Sequence, residues 1–356
     1  MHGDTMDLFH PLIRDWFEEQ IGDPTDIQAK AWPHIANGEH VLITAPTGSG
    51  KTLTAFLWAL NRLITGDQPT GRVGVLYVSP LKALNNDIQR NLLGPLRQLR
   101  HAFARERRPF PDINVSTRSG DTPQADRRRM VRHPPEILIT TPESLNLLLA
   151  SAAGRSLLPE ITTVILDEIH AVFGSKRGTH LITAVDRLVL LCGEFQRIAL
   201  SATVRPLETV AQFVGGYRLD GVEQYTPRPV SIVRAKTSKR YDLRIRYPDE
   251  PPDSAESVWD PVVEAVRKIL DRNRSTLIFV NGRRLCERLA HMINTDAGGL
   301  IAYAHHGSLS RDIRETVEGK LKAGELKAIV ATSTLEMGID IGALDEVILI
   351  QSPFSI

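Results

Sequence analysis

Short apolar runs alternate with longer amphipathic stretches along the first two thirds of the chain. Continuous apolar runs of strand length are typical of strands that are buried on both faces, as in parallel sheets. Most of these runs are followed by a stretch with helical periodicity, and this alternation predicts a doubly wound parallel α/β sheet. The apolar runs lie at residues 41–44, 73–79, 113–117, 137–140, 163–170 and 197–203.

The pattern changes between residues 221 and 253, where short alternating runs lie between polar and proline-rich pieces. A second α/β series begins after this stretch. We therefore place a domain boundary near residue 225, with a first domain at 1–225 and a second at 226–356. The second series is predicted to contain helices at 255–270, 283–293 and 310–322 and strands at 275–280, 300–303, 327–332 and 346–351.

Composition narrows the class of protein without changing this architecture. A length of 356 residues suits two domains. The net charge is only +1, so any contact with nucleic acid must come from local loops rather than from an overall positive field. Cys192 and Cys286 have no metal-ligand spacing and suit a reducing cytoplasm. No apolar run approaches the roughly 18 residues of a membrane span, so we expect a soluble, cytoplasmic protein with no membrane partner.

Residues 41–52 combine a strand, a glycine-containing turn and the start of a helix. Gly48 and Gly50 allow backbone N–H groups to converge on an anion at the positive end of the helix dipole. Lys51 can reach the β- and γ-phosphates of ATP, and the Thr52 hydroxyl can take one place around Mg²⁺. The general phosphate-loop pattern begins with Gly, whereas Ala45 stands there in this chain. The stretch therefore predicts a nucleotide-binding loop.

Two carboxylates, Asp167 and Glu168, follow the apolar run at 163–166. Ligands of open α/β sheets lie beyond the carboxyl ends of the strands, where the phosphate loop also lies. Asp167 is therefore predicted to hold Mg²⁺, and Glu168 to orient and deprotonate the attacking water. His170 comes next, but no second His or Cys accompanies it at metal-ligand spacing.

Several other polar residues have an ordinary structural explanation when each is taken alone. Gln28 precedes the phosphate loop and could bond an adenine edge, yet such a residue more often lies on the surface. Ser201 and Thr203 end a strand and suit turn or cap chemistry. Arginines at 127–129 could bind phosphates, but a solvated helix face is the simpler interpretation.

Taken together, these segments resemble the superfamily 2 helicases over nearly the whole chain, and the resemblance implies two RecA-like domains. Each motif is short, but all of them occur in the order that the family shows. The resemblance rests on Gln28, 47–52 (motif I), 80–84 (motif Ia), 120–121 and 141–144 (strand-contacting motifs), 167–170 (motif II, as DEIH), 201–203 (motif III), 279–284 (motif IV) and 331–340 (motif V).

The resemblance implies roles for individual residues. ATP binding would draw the two domains together and hydrolysis would release them, so that a bound strand advances. Ser201 and Thr203 would link hydrolysis to this movement. The implied ATP site comprises Gln28, Thr47, Gly48, Ser49, Gly50, Lys51, Thr52, Gly338 and Asp340. The implied contacts with nucleic acid, mostly to phosphates, come from Pro80, Lys82, Gly120, Asp121, Thr141, Arg283, Thr332 and Thr334.

Four longer segments are similar to the large helicase-related (Lhr) family. This similarity implies a prokaryotic, ATP-dependent translocase that moves 3′-to-5′ on single-stranded DNA and is linked to DNA repair. DNA is favoured over RNA as the partner, although no motif reveals contacts to a 2′-hydroxyl. The four segments are 78–87, 174–178, 280–289 and 305–310.

One motif of the family does not occur in this sequence. Motif VI should follow a strand such as 347–351, but the sequence stops at Ile356. Its arginines would stabilise charge on the transferred phosphate, which is worth about 10³–10⁵ in rate. The winged-helix and later domains of Lhr proteins are also missing. We therefore expect a fragment of a longer protein, with an incomplete second domain, that binds ATP but hydrolyses it slowly on its own.

Other interpretations of the same residues stay open. The chain could drive translocation or remodelling without separating strands, or it could act on RNA. It could also be an ATP-gated module that binds a strand without turnover. A small-molecule kinase would share the phosphate loop but would not need the constellation at 331–340.

Overall fold

A computed structural model contains two compact units, Met1–Ser238 and Lys239–Ile356. Each unit is built around its own parallel sheet, as expected for two RecA-like domains in tandem. The structure describes residues 3–46, 48–80, 88–202, 204–221, 224–235, 242–247, 258–295, 297, 299–306, 308–309, 313, 316–317, 319–320, 323, 325–332 and 344–351.

The first unit contains a seven-stranded sheet in the order β3-β4-β2-β5-β6-β1-β9. Every pair of neighbours in it is parallel, so all the carboxyl ends lie along one edge. Most of the central strands are buried throughout, which explains their continuous apolar sequences. The strands of this unit are β1 (His40–Thr44), β2 (Val75–Val78), β3 (Val115–Arg118), β4 (Ile137–Thr140), β5 (Thr163–Leu166), β6 (Gln196–Ser201), β7 (Tyr217–Leu219), β8 (Tyr225–Pro227) and β9 (Val230–Arg234).

Helices cover both faces of this sheet. Successive strand residues point to opposite faces, so each strand contributes to the apolar core on both sides. Ile165 belongs to one apolar cluster, whereas its neighbours Val164 and Leu166 belong to the other. A π-helical turn at Gln89–Leu93 and a 3₁₀ turn at Ile169–Ala171 complete the connections. The helices are α1 (Gly3–Met6), α2 (Pro11–Gln20), α3 (Asp26–Ala36), α4 (Lys51–Thr65), α5 (Gly94–Arg105), α6 (Gln124–Arg132), α7 (Pro142–Ala150), α8 (Ala152–Arg155), α9 (Lys176–Cys192) and α10 (Leu207–Gly215).

Strand β9 extends the first sheet beyond the boundary that the sequence suggested near residue 225. It pairs in parallel with β1, with His40 opposite Val230 and Thr44 opposite Arg234. The strand is only half-buried, so its sequence mixes apolar and polar residues. The compact units consequently divide after Ser238 rather than near residue 225, and β9 belongs to the first unit.

The second unit contains a four-stranded parallel sheet in the order β11-β12-β10-β13. Its central strand β12 is buried along its whole length, and apolar clusters pack on both faces. Most of the helix expected at 310–322 lies outside the described residues. The elements are α11 (Asp260–Arg272), β10 (Thr276–Phe279), α12 (Arg283–Asn294), β11 (Ala302–His305), β12 (Ala328–Ala331) and β13 (Glu346–Leu349).

No helix in the described part of the chain combines the length and the apolar composition that a membrane span requires. Both cysteines are free thiols, with Cys286 buried and Cys192 partly buried.

Candidate functional site

The predicted phosphate loop connects β1 to α4 in the first unit. Gly48 and Gly50 have φ angles of 79° and 86°, which are left-handed values that glycine adopts without strain. Gly50 is the residue before the first turn of α4, and Lys51 and Thr52 are the first two residues of that turn. The backbone N–H groups of this turn are therefore available to an anion, and the helix dipole favours one there. Thr47 lies outside the described residues.

Gln28 is buried against this loop. Its Oε1 accepts the backbone N–H of Thr25 at 2.8 Å, and the Thr25 hydroxyl donates to the carbonyl oxygen of Ser49 at 3.1 Å. A Cβ atom added at Gly50 would lie 2.8 Å from Nε2 of Gln28. The start of α3 and the phosphate loop are thus joined through Gln28 and Thr25. The sequence suggested an adenine contact or a surface position for Gln28, and burial of this residue contradicts the surface position; nothing in the sequence indicated Thr25.

Asp167 follows β5 and is 5% exposed. The Tyr77 hydroxyl donates to its Oδ2, and the Glu168 N–H donates to its Oδ1 at 2.7 Å. Burial, followed by the charge of Glu168, raises the pKa of Asp167 to about 6, and the Tyr77 hydrogen bond and Lys51 act in the opposite direction. Two neighbouring carboxylates shielded from solvent favour the binding of a cation, which reduces their repulsion. Tyr77 sits in an apolar run, and nothing in the sequence indicated this contact.

Glu168 has a left-handed backbone with φ 48° and ψ 44°. A non-glycine residue in this region costs about 1–3 kcal/mol, and such strain occurs most often at functional sites. Glu168 immediately precedes the 3₁₀ turn Ile169–Ala171, in which His170 contacts the residue that follows β6. Glu168 is therefore turned out of the strand direction immediately after Asp167.

His170 connects this turn to the end of β6. Its Nδ1 accepts the backbone N–H of Ala202 at 3.1 Å, so the ring proton of the neutral form is on Nε2. Burial, and then the charge of Lys51, lower the pKa of His170, while Asp167 opposes them. Because Nδ1 is an acceptor, its 3.3 Å approach to Oε2 of Glu168 is not an ion pair. Ser201, the last residue of β6, is fully buried, and Thr203 lies outside the described residues.

The residues predicted to hold Mg²⁺ have a donor set that suits this ion. Asp167 offers a carboxylate and Thr52 a hydroxyl, and Mg²⁺ commonly takes one or two such protein ligands together with phosphates and waters. Among the described residues, no group of three or more His, Cys, Asp or Glu side chains could hold a metal ion. The carboxylate of Asp167 and the hydroxyl of Thr52 therefore fit a metal ion that phosphate oxygens also coordinate.

The described first-unit residues that were predicted to contact nucleic acid follow neighbouring strands at the same sheet edge. Pro80 comes after β2, Gly120 and Asp121 after β3, and Thr141 after β4. These strands are adjacent in the order β3-β4-β2. Thr141 is the N-cap residue of α7, and its Oγ1 accepts the N–H of Ser144 at 3.3 Å. Lys82 lies outside the described residues.

The loop that carries Gly120 and Asp121 is supported by Arg127 of α6. The Arg127 guanidinium donates from Nε to the carbonyl of Thr122 at 2.7 Å and from Nη2 to that of Gly120 at 2.8 Å. Arg127 is half-buried, so it is not part of the solvated face that the sequence suggested for 127–129, whereas Arg128 and Arg129 are exposed.

The second unit also brings predicted residues to the carboxyl edge of its sheet. Arg283 is the exposed first residue of α12, and the buried Thr332 follows β12, which is adjacent to β10. The backbone N–H of Thr332 donates to the carbonyl of His305 at 3.2 Å. Thr334, Gly338 and Asp340 lie outside the described residues, so the structure does not describe their part of the predicted site.

Comparison with known proteins places these features in a family. Residues 25–212 match the DEAD/DEAH box helicase model, and residues 261–356 match the helicase conserved C-terminal domain. The chain is 43% identical to the Lhr helicase/probable uracil glycosylase of Mycolicibacterium smegmatis, over 99% of this chain and 25% of that protein. It is also 43% identical to the ATP-dependent helicase Lhr-Core protein 2 of Thermococcus barophilus, over 97% of this chain and 40% of that protein.

A solved structure agrees with the sequence relatives. The structure of Mycobacterium smegmatis helicase Lhr bound to ssDNA and AMP-PNP matches with a TM-score of 0.82 and 45% identity, over 98% of this chain and 45% of that one. The chain spans between a quarter and two fifths of the length of the two curated relatives. It belongs to the DEAD/DEAH box helicase family, within the Lhr group.

Proposed function

We propose that this chain is the ATP-driven motor core of an Lhr-type helicase that acts on single-stranded nucleic acid, with DNA preferred over RNA. The observation that carries the proposal is the arrangement of one sheet edge. The phosphate loop after β1, the carboxylates after β5 and the candidate strand-contacting residues after β2, β3 and β4 all lie at the carboxyl ends of parallel strands. A nucleotide and a polynucleotide would then bind to neighbouring loops at the same edge of the sheet.

The nucleotide chemistry that we propose uses the residues around the phosphate loop. Lys51 and the N-terminus of α4 hold the phosphates, and Gln28 and Thr25 keep the loop in place. Thr52 and Asp167 would hold Mg²⁺, which when bound neutralises charge on the phosphates. Glu168 accepts a proton from the attacking water as the water bonds to the γ-phosphorus and the bond to ADP breaks. His170 joins the turn that follows Glu168 to the end of β6, through its hydrogen bond with the backbone of Ala202.

The proposed contacts with nucleic acid are local rather than global. Because the net charge of the chain is only +1, binding relies on loop residues such as Gly120, Thr141 and Arg283. Contacts to phosphates do not read sequence, so we expect binding with little sequence preference and a strong dependence on salt. The related Lhr structure contains ssDNA, which supports DNA as the preferred partner here.

The experiment that tests this function measures ATP hydrolysis with and without matched single-stranded DNA and RNA. Glu168→Gln should keep ATP binding but abolish turnover, because the amide cannot accept the proton. Lys51→Ala should lose binding itself. Asp271→Asn, a change in a carboxylate of α11, serves as the control. The proposal fails if nucleotide binds with equal affinity to the wild type and to Lys51→Ala, or if Glu168→Gln turns over like the wild type.

Direction of movement and a link to DNA repair are finer parts of the same proposal. They are supported by the similarity of this chain to the Lhr group. Their test uses a protein as long as the Lhr relatives. Duplexes with a single-stranded tail at either end separate the directions, and we expect strand displacement only from the 3′ tail. Equal displacement from both tails, or displacement only from the 5′ tail, would contradict the 3′-to-5′ assignment. Triplex displacement without duplex separation would instead favour a translocase.

A further inference from the structure

Residues 174–178, which resemble a segment of the Lhr family, have no part in the function proposed so far. Ser175 caps α9, because its Oγ accepts the N–H of Gly178 at 3.1 Å and donates to the carbonyl of Val172 at 2.6 Å. Gly178 has no room for a side chain, since a Cβ there would lie 2.2 Å from the Val172 carbonyl oxygen. These two residues shape the helix start and leave Arg177 as the side chain that reaches toward a neighbouring helix.

Arg177 forms a two-point ion pair with Glu143 of α7. Its Nε donates to Oε1 of Glu143 at 2.6 Å, and its Nη2 donates to Oε2 at 3.1 Å. The hydrogen bond from Arg177 is the largest cause of the lowered pKa of Glu143, so this carboxylate is ionised and paired at neutral pH. A guanidinium that holds both oxygens of a carboxylate fixes orientation as well as distance.

The two ends of this pair belong to different parts of the site. Arg177 is in the first turn of the helix that follows the segment carrying Glu168 and His170. Glu143 is in the first turn of α7, two residues after its N-cap Thr141. The pair therefore joins the start of the helix that follows the candidate catalytic segment to the start of the helix that Thr141 caps.

The link is not needed to hold α7 and α9 together. Both helices contribute to one apolar cluster, with Leu145 and Leu148 from α7 and Leu181 from α9. Farther along, Asn146 Nδ2 donates to the carbonyl of His180 at 3.3 Å. Charge changes at the ion pair should therefore leave the fold intact, which makes the pair accessible to mutation.

We propose that the Arg177–Glu143 ion pair couples nucleotide binding at Asp167 and Glu168 to the affinity of the N-terminus of α7, at Thr141, for single-stranded nucleic acid. Arg177 and Glu143 are positioning residues, since Arg177 is joined to Glu168 through the backbone of residues 168–176 and Glu143 belongs to the helix turn that Thr141 caps. This inference rests on the proposed function, because it needs a site for each ligand. In thermodynamic terms the pair carries part of the free energy by which one ligand changes the affinity for the other.

The test measures how much AMP-PNP with Mg²⁺ changes the affinity for a fluorescein-labelled oligothymidylate of about 20 nucleotides. The quantity compared is the ratio of the two dissociation constants, with and without nucleotide. Arg177→Glu and Glu143→Arg should each reduce this ratio by about threefold, the effect expected for a partly exposed pair. The double variant Glu143→Arg/Arg177→Glu should restore it, because the opposite charges face each other again.

Two further variants separate positioning from a general effect of charge. Lys176→Glu makes the same charge change in the exposed neighbour of Arg177 and should keep the wild-type ratio. Arg177→Lys keeps the charge without the two-point geometry and should give an intermediate ratio. A wild-type ratio in Arg177→Glu, or a double variant that folds but does not recover, overturns the inference while leaving the proposed function standing. A wild type that binds neither ligand overturns both.

Discussion

The Tyr77 hydroxyl donates a hydrogen bond to Oδ2 of Asp167, between the neighbouring strands β2 and β5. Tyr77 is fully buried, and its ring stacks on that of Phe56 with 4.9 Å between centroids. A residue of the sheet interior thus orients a carboxylate that we propose as a metal ligand. The other oxygen of this carboxylate is held by the backbone of Glu168, so the two donors together leave it one orientation.

Replacing Tyr77 with Phe is expected to weaken Mg²⁺-dependent binding of AMP-PNP by about tenfold, since a hydrogen bond to a charged group contributes about 1.5–3 kcal/mol. The stacking on Phe56 is kept, so the fold should persist. Because this bond lowers the pKa of Asp167, its loss leaves that pKa still farther above its usual value. Fewer carboxylates are then ionised near neutral pH. The measurement is a Mg²⁺ titration of nucleotide affinity.

The matched control for this change is Tyr303→Phe, which removes a hydroxyl from a half-buried ring in the second unit. It should leave the Mg²⁺ titration unchanged. If Tyr77→Phe also leaves the titration unchanged, the orientation of Asp167 does not depend on Tyr77.

A second prediction rests on the close approach of Gln28 to Gly50. Gly66, at the other end of the same helix, provides the reference position. Gly50 and Gly66 flank α4 with nearly the same φ, 86° and 84°. A side chain in this region costs about 1–3 kcal/mol at either position. Only at Gly50 would the new Cβ meet a neighbour, Nε2 of Gln28 at 2.8 Å, whereas nothing lies within 4 Å at Gly66. Gly50→Ala should therefore lower the unfolding temperature more than Gly66→Ala and should also weaken nucleotide binding.

The double variant Gln28→Ala/Gly50→Ala identifies the cause of the difference. If contact with Gln28 is responsible, the effects of the two single changes on stability are not additive, because Gln28→Ala makes room for the new methyl group. Strict additivity would mean that Gly50 is required for its backbone conformation alone.

Arg127 gives a third prediction, which concerns the loop at residues 119–122. Removing its guanidinium leaves the carbonyls of Gly120 and Thr122 without their donor, and the loop should open more often. Arg127→Ala should raise the dissociation constant for single-stranded DNA by about tenfold, in line with the loss of a charge-assisted hydrogen bond. Hydrogen exchange should become faster in the loop.

Arg128→Ala is the control, since it removes the same charge from the exposed neighbouring position. It should reduce affinity less and leave hydrogen exchange in the loop unchanged. Equal losses in both variants would show that charge, and not loop geometry, explains the effect of Arg127.

The parts of the fold that could be predicted from sequence are those in which neighbouring residues share one environment. The strand Ile137–Thr140 is buried along its whole length, and its first three residues are apolar, so the pattern is clear in the sequence. Edge strands do not have this property. Val230–Arg234 has one paired edge and partial burial, and its mixed sequence gave no reason to assign it to the first sheet.

The candidate site was predictable where its chemistry is contiguous in sequence and was missed where it depends on distant partners. The phosphate loop and the Asp167–Glu168 pair are local patterns. Tyr77 and Asp167, by contrast, are 90 positions apart, and Arg177 and Glu143 are 34 apart. A buried tyrosine in an apolar run looks like packing until the fold brings a carboxylate to its hydroxyl.

The last prediction concerns stability and pH at the opposite edge of the first sheet. His40, at the start of β1, accepts the backbone N–H of Arg197 with its Nδ1 at 3.1 Å. Burial lowers the pKa of His40 from 6.5 to about 4, the charges of Arg197 and Arg228 act in the same direction, and Glu194 opposes them. The folded state therefore favours the neutral ring more than the unfolded state does. The stability that this preference contributes is complete above pH 6.5 and is lost progressively as the pH falls to about 4.

His40→Asn tests this directly, because the asparagine oxygen can replace the Nδ1 acceptor but does not titrate. The free energy of urea unfolding, measured between about pH 4 and 7, should fall more steeply with acid in the wild type than in this variant. Carboxylates titrate in both proteins, so their contribution cancels in the difference. His133→Asn, at an exposed position, should follow the wild-type curve. Parallel curves for wild type and His40→Asn would mean that protonation of His40 does not oppose folding, since the difference between the two proteins would then be independent of pH.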